Sequence, residues 1–241
     1  GQVHDSKSLK NKISKDFKKY NKQIIDLDKK FNIKKEKFIF RGEELRRRQF
    51  LAGMNIEDME LILHPMVENI KEAVGSMGDD TPLAVLSDKY RPISHFFRQN
   101  FSQVTNPPID SLRENEVMSL KTRFGNTGNI LDFENLTEEN IYVLESPILS
   151  NSQFDKFSNF FNKNIKVLDC TFNINNSLKK RLDVLRSEAT IAVREGYKHL
   201  ILSDKEISEE KAAIPMPLTI GAINSRLTNL GIRGFASINV Q

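Results

Sequence analysis

The chain has 241 residues, enough to bury a sizeable core, and its 39% hydrophobic and 28% charged residues are typical of a globular protein. No apolar run approaches the roughly 20 residues that span a bilayer, and we expect no signal peptide and no membrane partner. A single cysteine, Cys170, excludes an internal disulfide and a cluster ligated by about four thiolates. We therefore expect a reducing compartment, either the cytoplasm or the plastid stroma.

The positive charge is concentrated at the start of the chain. Residues 1–50 carry 16 lysines and arginines against 7 acidic residues, whereas the remainder carries 20 against 25. Such an arm could contact nucleic acid, but its apolar residues recur at helical spacing, which favours an amphipathic helix packed on a core with its lysines in solvent. The stripe is formed by Leu9, Ile13, Phe17, Tyr20, Ile24 and Leu27. We expect residues 1–50 to form a basic helical arm and 51–241 the main domain, with no nucleic-acid partner.

Two short helices are predicted next. Glu43 to Leu51 has a helical pattern, and Asn55 with Asp58 three residues later is an imperfect capping box that starts another helix. Pro65 is expected to end or kink this second helix. The four histidines have no paired spacing and predict no metal site; they are His4, His64, His95 and His199.

The stretch from Gly75 to Glu114 contains four of the chain's eight prolines and a Gly-x-x-Gly-Asp-Asp turn. Proline, glycine and aspartate residues at this density restrict the backbone and predict a rigid loop of defined shape. A helical stripe within Tyr90 to Val104 ends at consecutive prolines, after which Asp110 or Ser111 is placed to cap a further helix.

The last part of the chain alternates between helical and strand patterns. Helices are predicted at Ser150–Phe161, Leu178–Glu195 and Pro217–Leu230, and strands at Ile165–Phe172, His199–Leu202 and Gly234–Val240. This order predicts an α/β fold: βα repeats with a mainly parallel sheet, as a partial or distorted barrel or an open sheet, preceded by a helical N-terminal segment.

Ligands gather at the carboxyl ends of such strands. These ends are Asp169-Cys170-Thr171, Ser203-Asp204-Lys205 and Asn239-Val240-Gln241. Asp204 with Lys205 could form an acid–base or phosphate site, and Cys170 could be a nucleophile. Structural roles are favoured for all three. Asp and Lys after a strand are common loop residues and possible caps, and Cys170 lies in a strand without a neighbouring histidine in sequence to activate it.

Several motifs together resemble one family. GSMGDDTPLAVLS and QVTNPPID-x-x-RE, in this order, are similar to the central domain of the large chain of glutamate synthase. Further similarity lies in LRRRQFLAGMNIEDMELILHPM, ESPILSN, REGYKHLILSDK and AIPMPLTIGAINSRL. The resemblance covers roughly Leu45 to Gln241.

The resemblance implies a non-catalytic connecting domain of an oxidoreductase that makes L-glutamate from L-glutamine and 2-oxoglutarate. Its partners would be the glutaminase domain and the FMN-binding synthase domain of the same chain, which it would position while helping to form the ammonia path. FMN and an iron–sulfur cluster are expected in the parent enzyme, with no cofactor, metal or catalytic residue in this segment.

The resemblance also marks residues of the family motif as interface residues. These are Ser76, Asp79, Asp80, Thr81, Asn106, Pro107, Pro108, Asp110, Arg113 and Glu114. The alternative is a free-standing βα enzyme or ligand-binding domain with a phosphate site near Ser203 to Lys205.

Overall fold

The structure is a computed structural model that describes residues 24–33, 40–70, 109–125 and 140–241, together with Lys7, Asn11 and Ile93. The chain forms two compact units, one from Gly1–Lys34 with Lys121–Pro147 and the other from Lys35–Leu120 with Ile148–Gln241. The boundary between an arm of residues 1–50 and a main domain of residues 51–241 stays a prediction. Among the described helices, none is long and apolar enough to cross a membrane.

In residues 24–33, 121–125 and 140–147, the described ranges of the first unit, the chain forms a three-stranded sheet and a short helix. The strands are β1 (Ile24–Asp26), β2 (Thr122–Phe124) and β3 (Ile141–Leu144), and helix α1 (Leu27–Phe31) follows β1 directly. β3 lies in the centre, parallel to β1 and antiparallel to β2. This sheet was not predicted from the sequence.

Buried side chains and local hydrogen bonds hold the first unit together. Leu27 and Phe31 of α1 are buried, as are the last two residues of β3. The Asp28 carboxylate accepts a hydrogen bond at 2.8 Å from the Glu145 backbone N–H, just beyond β3. Gly125 has a φ of 133°, and a Cβ there would stand 2.6 Å from the Asn140 backbone oxygen, so the turn after β2 requires glycine.

The predicted arm helix is wrong at its carboxyl end. Ile24 belongs to strand β1, and helix α1 begins only at Leu27, where the Asp26 side chain accepts from the Lys29 backbone N–H at 3.1 Å. Two adjacent isoleucines favour a strand, and the parallel pairing with β3 outweighs the helical spacing. Asn32 ends α1 in the left-handed backbone region, with a φ of 41°. The other stripe residues lie outside the described residues.

The second unit begins with helical elements. Helix α2 spans Gly42–Leu51, a π-helical segment spans Asp58–Leu63 and runs into α3 (His64–Asn69), and α4 spans Glu114–Val117. The Asn55 and Asp58 side chains each accept from the other's backbone N–H, at 2.8 and 3.1 Å, which confirms the capping box. The helix continues through Pro65, so the prediction that it ends there is wrong. The alternative, a kink at Pro65, stays a prediction.

The last part of the second unit contains the main sheet. Its helices are α5 (Asn151–Phe161), α6 (Leu178–Arg194) and α7 (Met216–Asn229). Its strands are β4 (Ile165–Asp169), β5 (Thr171–Asn173), β6 (His199–Ser203), β7 (Lys211–Ala213) and β8 (Ser237–Val240). Short 3₁₀ turns at Asn162–Asn164 and Arg233–Phe235 precede β4 and β8.

Strands β4, β6 and β8 form a parallel sheet in that order. Helices α6 and α7 share one hydrophobic core with one face of the sheet, as expected when consecutive right-handed crossovers run in the same direction. The buried core members are Leu168, Cys170, Leu185, Ala189, Ala192, Val193, Leu200, Leu202, Ile214, Ile223, Leu227 and Ala236. The α/β prediction is confirmed, and among the described residues the sheet is open, with three strands and no barrel closure.

Two strands are shorter than predicted. The run from Ile165 to Phe172 is divided at Cys170 into β4 and β5, because β5 leaves the sheet and pairs antiparallel with β7. The last strand begins at Ser237, because Arg233–Phe235 form a 3₁₀ turn.

Candidate functional site

The carboxyl ends of β4, β6 and β8 meet at one edge of the sheet, as the sequence predicts. Cys170 donates its backbone N–H to the Ser203 oxygen at 2.8 Å. Gln241 donates to the Leu202 oxygen at 2.9 Å and accepts from the Asp204 N–H at 3.3 Å. This edge is the usual place for a ligand on a parallel sheet and is therefore the first candidate site.

A ribbon formed by β5 and β7 extends from this edge. The Ile214 N–H donates to the Cys170 oxygen at 2.9 Å, and Asp169 Oδ1 accepts from the N–H and hydroxyl of Thr171 at 2.9 and 2.7 Å. Arg181 of α6 donates to the backbone oxygens of Asp169 and Thr171 at 2.6 and 3.2 Å. These polar groups therefore hold the ribbon in place.

Cys170 is fully buried, and its Sγ donates to the Leu168 backbone oxygen at 3.4 Å. Burial, reinforced by the charge of Asp169, raises the pKa of the Cys170 thiol to about 12. The reactive form of cysteine is the thiolate, which is negligibly populated at neutral pH with such a pKa. The geometry therefore does not support a nucleophilic role for Cys170.

The backbone around Ser203 to Lys205 is engaged within the fold. The Asp204 N–H donates to Gln241, and the Lys205 N–H donates to Ser203 Oγ at 3.4 Å. Burial raises the pKa of Asp204, so its carboxylate is costly to keep charged. Phosphate sites use free backbone N–H groups near positive charge, and the geometry here does not favour the alternative phosphate site.

The described histidines also lie apart from this edge. His199, at the amino end of β6, packs against the rings of Phe157 and Phe161 with centroids 5.3 and 4.3 Å away. Burial, with the nearby Lys198 charge, lowers the pKa of His199 to about 4. His64 is exposed beside Glu68. Within the described ranges, no three His, Cys, Asp or Glu side chains are grouped to hold a metal.

Helix α4 begins at Glu114, with Arg113 at its N-cap and no side-chain cap hydrogen bond, so the predicted helix cap at Asp110 or Ser111 is wrong. Asp110 instead organises the turn before this helix. Its Oδ1 accepts from the backbone N–H groups of Leu112 and Arg113, each at 3.0 Å, and its Oδ2 lies 3.4 Å from Arg113 Nε. Its backbone oxygen accepts from the Glu114 N–H at 3.1 Å, at the start of α4. Leu112 is held at the tip of this turn and is 93% exposed. We call residues Asp110 to Glu114 the Asp110 turn.

The other motif residues named from the sequence lie outside the described residues. They are Ser76, Asp79, Asp80, Thr81, Asn106, Pro107 and Pro108. The structure therefore brings together Asp110, Arg113 and Glu114 alone of this set.

The sequence analysis missed an exposed apolar surface on α2, the π-helical segment and α3. None of the residues in these three elements is buried. Large apolar side chains exposed in these elements include Phe50, Leu51, Leu61, Ile62 and Val67. The sequence does contain a signal of this exposed apolar surface. Adjacent apolar residues such as Leu61 and Ile62 cannot both lie on one narrow buried face of a helix. Exposed apolar side chains in such numbers are typical of an interaction surface.

Comparison with known proteins gives consistent matches. Residues 47–241 match the family model described as the glutamate synthase central domain. The chain is 47% identical over its whole length to the glutamate synthase [NADPH] large chain of Azospirillum brasilense and covers 16% of that protein. It is 34% identical over its whole length to the chloroplastic ferredoxin-dependent glutamate synthase of Spinacia oleracea, covering 15% of that protein.

The glutamate synthase [NADPH] large chain of Bacillus subtilis is 36% identical over 82% of this chain, which covers 13% of that protein. The first two alignments include the basic arm, which lies outside the resemblance found from the motifs. The chain thus spans about a sixth or less of the length of these relatives.

Proposed function

Because the chain belongs to the glutamate synthase central domain family, we propose that it acts as the non-catalytic connecting domain of its parent enzyme. It positions the glutaminase domain against the FMN-binding synthase domain and helps to form the ammonia path between them. The parent makes L-glutamate from L-glutamine and 2-oxoglutarate, with FMN and an iron–sulfur cluster held outside this segment.

The exposed Leu112 at the tip of the Asp110 turn is the observation that carries this proposal. Two backbone hydrogen bonds and the Arg113 side chain define the shape of the turn, yet the turn presents a large apolar side chain to solvent. A defined turn with an exposed leucine is suited to contact with another domain. The exposed side chains of α2 and α3 support the same role, and the buried thiol of Cys170 argues against local catalysis.

The decisive experiment is a Leu112→Asp substitution in the full-length parent enzyme. We expect glutamine-dependent glutamate synthesis to fall at least fivefold and ammonia-dependent synthesis to change less than twofold, because only the former needs two aligned active sites. Val184→Asp, on an exposed position of α6, is the control. Equal losses in both activities, or no loss in either, would contradict the connecting role of this turn.

The purified 241-residue chain provides a second test. We expect it neither to bind FMN nor to hydrolyse glutamine above background, because the catalytic groups lie in other parts of the parent. Absorbance between 350 and 500 nm after incubation with about 50 μM FMN, a ligand concentration ordinary for such sites, tests binding. A flavin spectrum that co-elutes with the chain would contradict the proposal.

A further inference from the structure

The amino ends of β4, β6 and β8 meet at the edge of the sheet opposite to the first candidate site. Lys198 donates its backbone N–H to the Asn164 oxygen at 2.9 Å, and its own oxygen accepts from the Ser237 N–H at 2.8 Å. These two bonds align the three segments that lead into the strands. We call residues 162–166, 194–198 and 231–237 the amino-end segments.

Positive charge is concentrated in the amino-end segments. They contain one acidic residue, Glu195, and five basic ones, which are Lys163, Lys166, Arg194, Lys198 and Arg233. The rest of residues 148–241 carries eight basic and eight acidic residues. The whole net charge of this part of the chain therefore lies at one edge of the sheet, where it attracts anionic groups.

Two of the five cations have roles within the fold. Arg233 donates to Asn224 Oδ1 and to the Ala236 backbone oxygen, each at 2.7 Å. Arg194 lies in the last turn of α6, where a cation complements the negative end of the helix dipole. The three lysines are exposed and lie outside the α-helices, so a helix dipole does not account for them. The positive charge thus exceeds what the helix end requires.

An exposed aromatic ring lies among these charges. Phe235 is 59% exposed, although it belongs to a defined 3₁₀ turn. Its N–H donates to the Ile232 oxygen at 3.2 Å, and the bond from Arg233 to Ala236 closes the other side of the turn. The turn therefore holds the ring at the surface. An apolar centre with a charged surround is the usual layout of a protein–protein contact.

The chemistry of this edge fits an acidic polypeptide. Complementary charges steer two protein surfaces together and fix their register. A single-stranded nucleic acid would need aromatic rings on which successive bases stack, whereas Phe235 is the only ring of the amino-end segments that is more than half exposed. One such ring provides an apolar contact for one side chain of a polypeptide.

We propose that the amino-end segments bind an acidic segment of the parent chain that lies outside these 241 residues. That segment places carboxylates beside Lys163, Lys166 and Lys198 and an apolar side chain on the Phe235 ring. The inference rests on the proposed function in one respect, namely that this chain is one domain of a longer protein. The relatives are longer in this way, since the chain covers 13% to 16% of them.

Photocrosslinking in the full-length parent protein tests the occupant. Benzoylphenylalanine in place of Phe235 keeps an aromatic side chain there, and the same probe at Ile174, 56% exposed in the turn after β5, is the control for exposure. We expect the probe at position 235 to crosslink to acidic peptides from outside residues 1–241, with roughly fivefold the yield of the control or more. Raising NaCl from about 50 to about 500 mM should lower this yield roughly threefold, because salt screens exposed charges.

Other outcomes of the crosslinking would overturn the proposal. These are crosslinks within residues 1–241, crosslinks to a second copy, crosslinks to nucleic acid, a yield no greater than that of the control, and a yield that salt does not change.

Charge reversal tests the lysines. In the parent protein, Lys163→Glu with Lys198→Glu should lower the crosslinking yield at position 235 roughly fivefold, because the acidic segment would then face like charge. Lys179→Glu with Lys180→Glu, at exposed positions in the first turn of α6 and at the opposite edge of the sheet, is the matched control and should leave the yield unchanged. Lys163→Gln with Lys198→Gln replaces the reversal if that variant fails to fold. Unchanged yield in a folded variant would contradict the role of the lysines.

The outcomes for this contact and for the proposed function can be separated. Absent crosslinking together with a selective loss of glutamine-dependent synthesis in Leu112→Asp would overturn the amino-end contact alone. Salt-sensitive crosslinking to an acidic segment without that selective loss would support the contact and contradict the role assigned to the Asp110 turn.

Discussion

His199 links the stability of the second unit to pH. Burial between aromatic rings lowers its pKa to about 4, whereas in the unfolded chain it returns to about 6.5. Below pH 6.5 the unfolded state therefore binds a proton that the native state does not, and stability falls as the pH decreases towards 4. The native state is therefore free of this proton-binding penalty only above the unfolded-state pKa of about 6.5.

Replacing His199 should remove this dependence. Between pH 7 and pH 5 the wild-type free energy of unfolding should fall by about 2 kcal/mol more than that of His199→Leu, given about 1.4 kcal/mol per pH unit. Urea unfolding at both pH values measures the difference. His64→Gln, at an exposed histidine, is the control substitution. Parallel pH profiles for His199→Leu and wild type would show that the histidine titrates alike in both states.

Asp110 permits a test of the turn that it organises. Asp110→Ala removes the acceptor of two backbone N–H groups and should cost about 1 kcal/mol, the usual effect of losing a cap. Asp110→Asn keeps an acceptor oxygen and should recover most of that loss. Arg113→Ala breaks only an exposed ion pair and should change stability by less than about 0.5 kcal/mol. Chemical unfolding of the purified chain measures all three, and equal stability of Asp110→Ala and wild type would contradict a stabilising role of Asp110 in this turn.

At the scale of single elements, the helix α5 has the clearest local signal. Ser150 Oγ accepts from the Gln153 N–H at 3.2 Å, and Gln153 Oε1 accepts from the Ser150 N–H at 2.9 Å. Ser150→Ala should therefore lower the free energy of unfolding by about 1 kcal/mol. Asn159→Ala, at an exposed position inside the same helix, should be neutral or slightly stabilising. A cap substitution no more harmful than this control would show that α5 is held by its phenylalanines alone.

The sequence predicts elements best where local and tertiary preferences agree. The boundaries of α6 differ from the prediction by one residue, because its apolar spacing and its Ser177 cap specify the same helix. Ile24 shows the opposite case, in which the helical spacing is outweighed by pairing with Ile141. Such a pairing depends on residues far away in sequence, so a local pattern cannot reveal it.

The same distinction applies to the candidate site. The turn around Asp110 follows from local chemistry, because an aspartate side chain accepts from backbone N–H groups two residues ahead, whereas the start of α4 at Glu114 did not follow from it. The convergence of Cys170, Ser203 and Gln241 followed from the parallel order of the strands. The burial that makes the Cys170 thiol unreactive depends on packing from several elements and required coordinates.

At the scale of the whole molecule, the boundary of the family match cuts through the first unit. The match starts at residue 47, whereas β1 and α1 precede it. Deleting residues 1–41 should therefore leave β3 with only one partner strand and uncover the side chains that pack on α1. Two-stranded hairpins are marginally stable, so hydrogen exchange should accelerate at least tenfold in peptides spanning β2 and β3.

The second unit provides the internal reference for that experiment. Peptides from β6 should keep their protection after the deletion, because no described residue of the deleted segment belongs to the core around Leu200 and Leu202. Unchanged exchange in β3 would show that β1 contributes nothing to its stability.

The pairing of β1 with β3 also affects how the chain emerges from the ribosome. Asp28 and its hydrogen-bond partner Glu145 are 117 positions apart, so the first strand is synthesised long before its neighbour. At roughly 5 to 20 residues per second, two consecutive isoleucines wait for about 6 to 25 seconds without their partner strand. During this interval the two isoleucines form a short exposed apolar segment that chaperones of the nascent chain can bind. Slow translation of the codons for residues 27–141 would lengthen that exposure, whereas circularly permuting the chain to bring β1 beside β3 would abolish it.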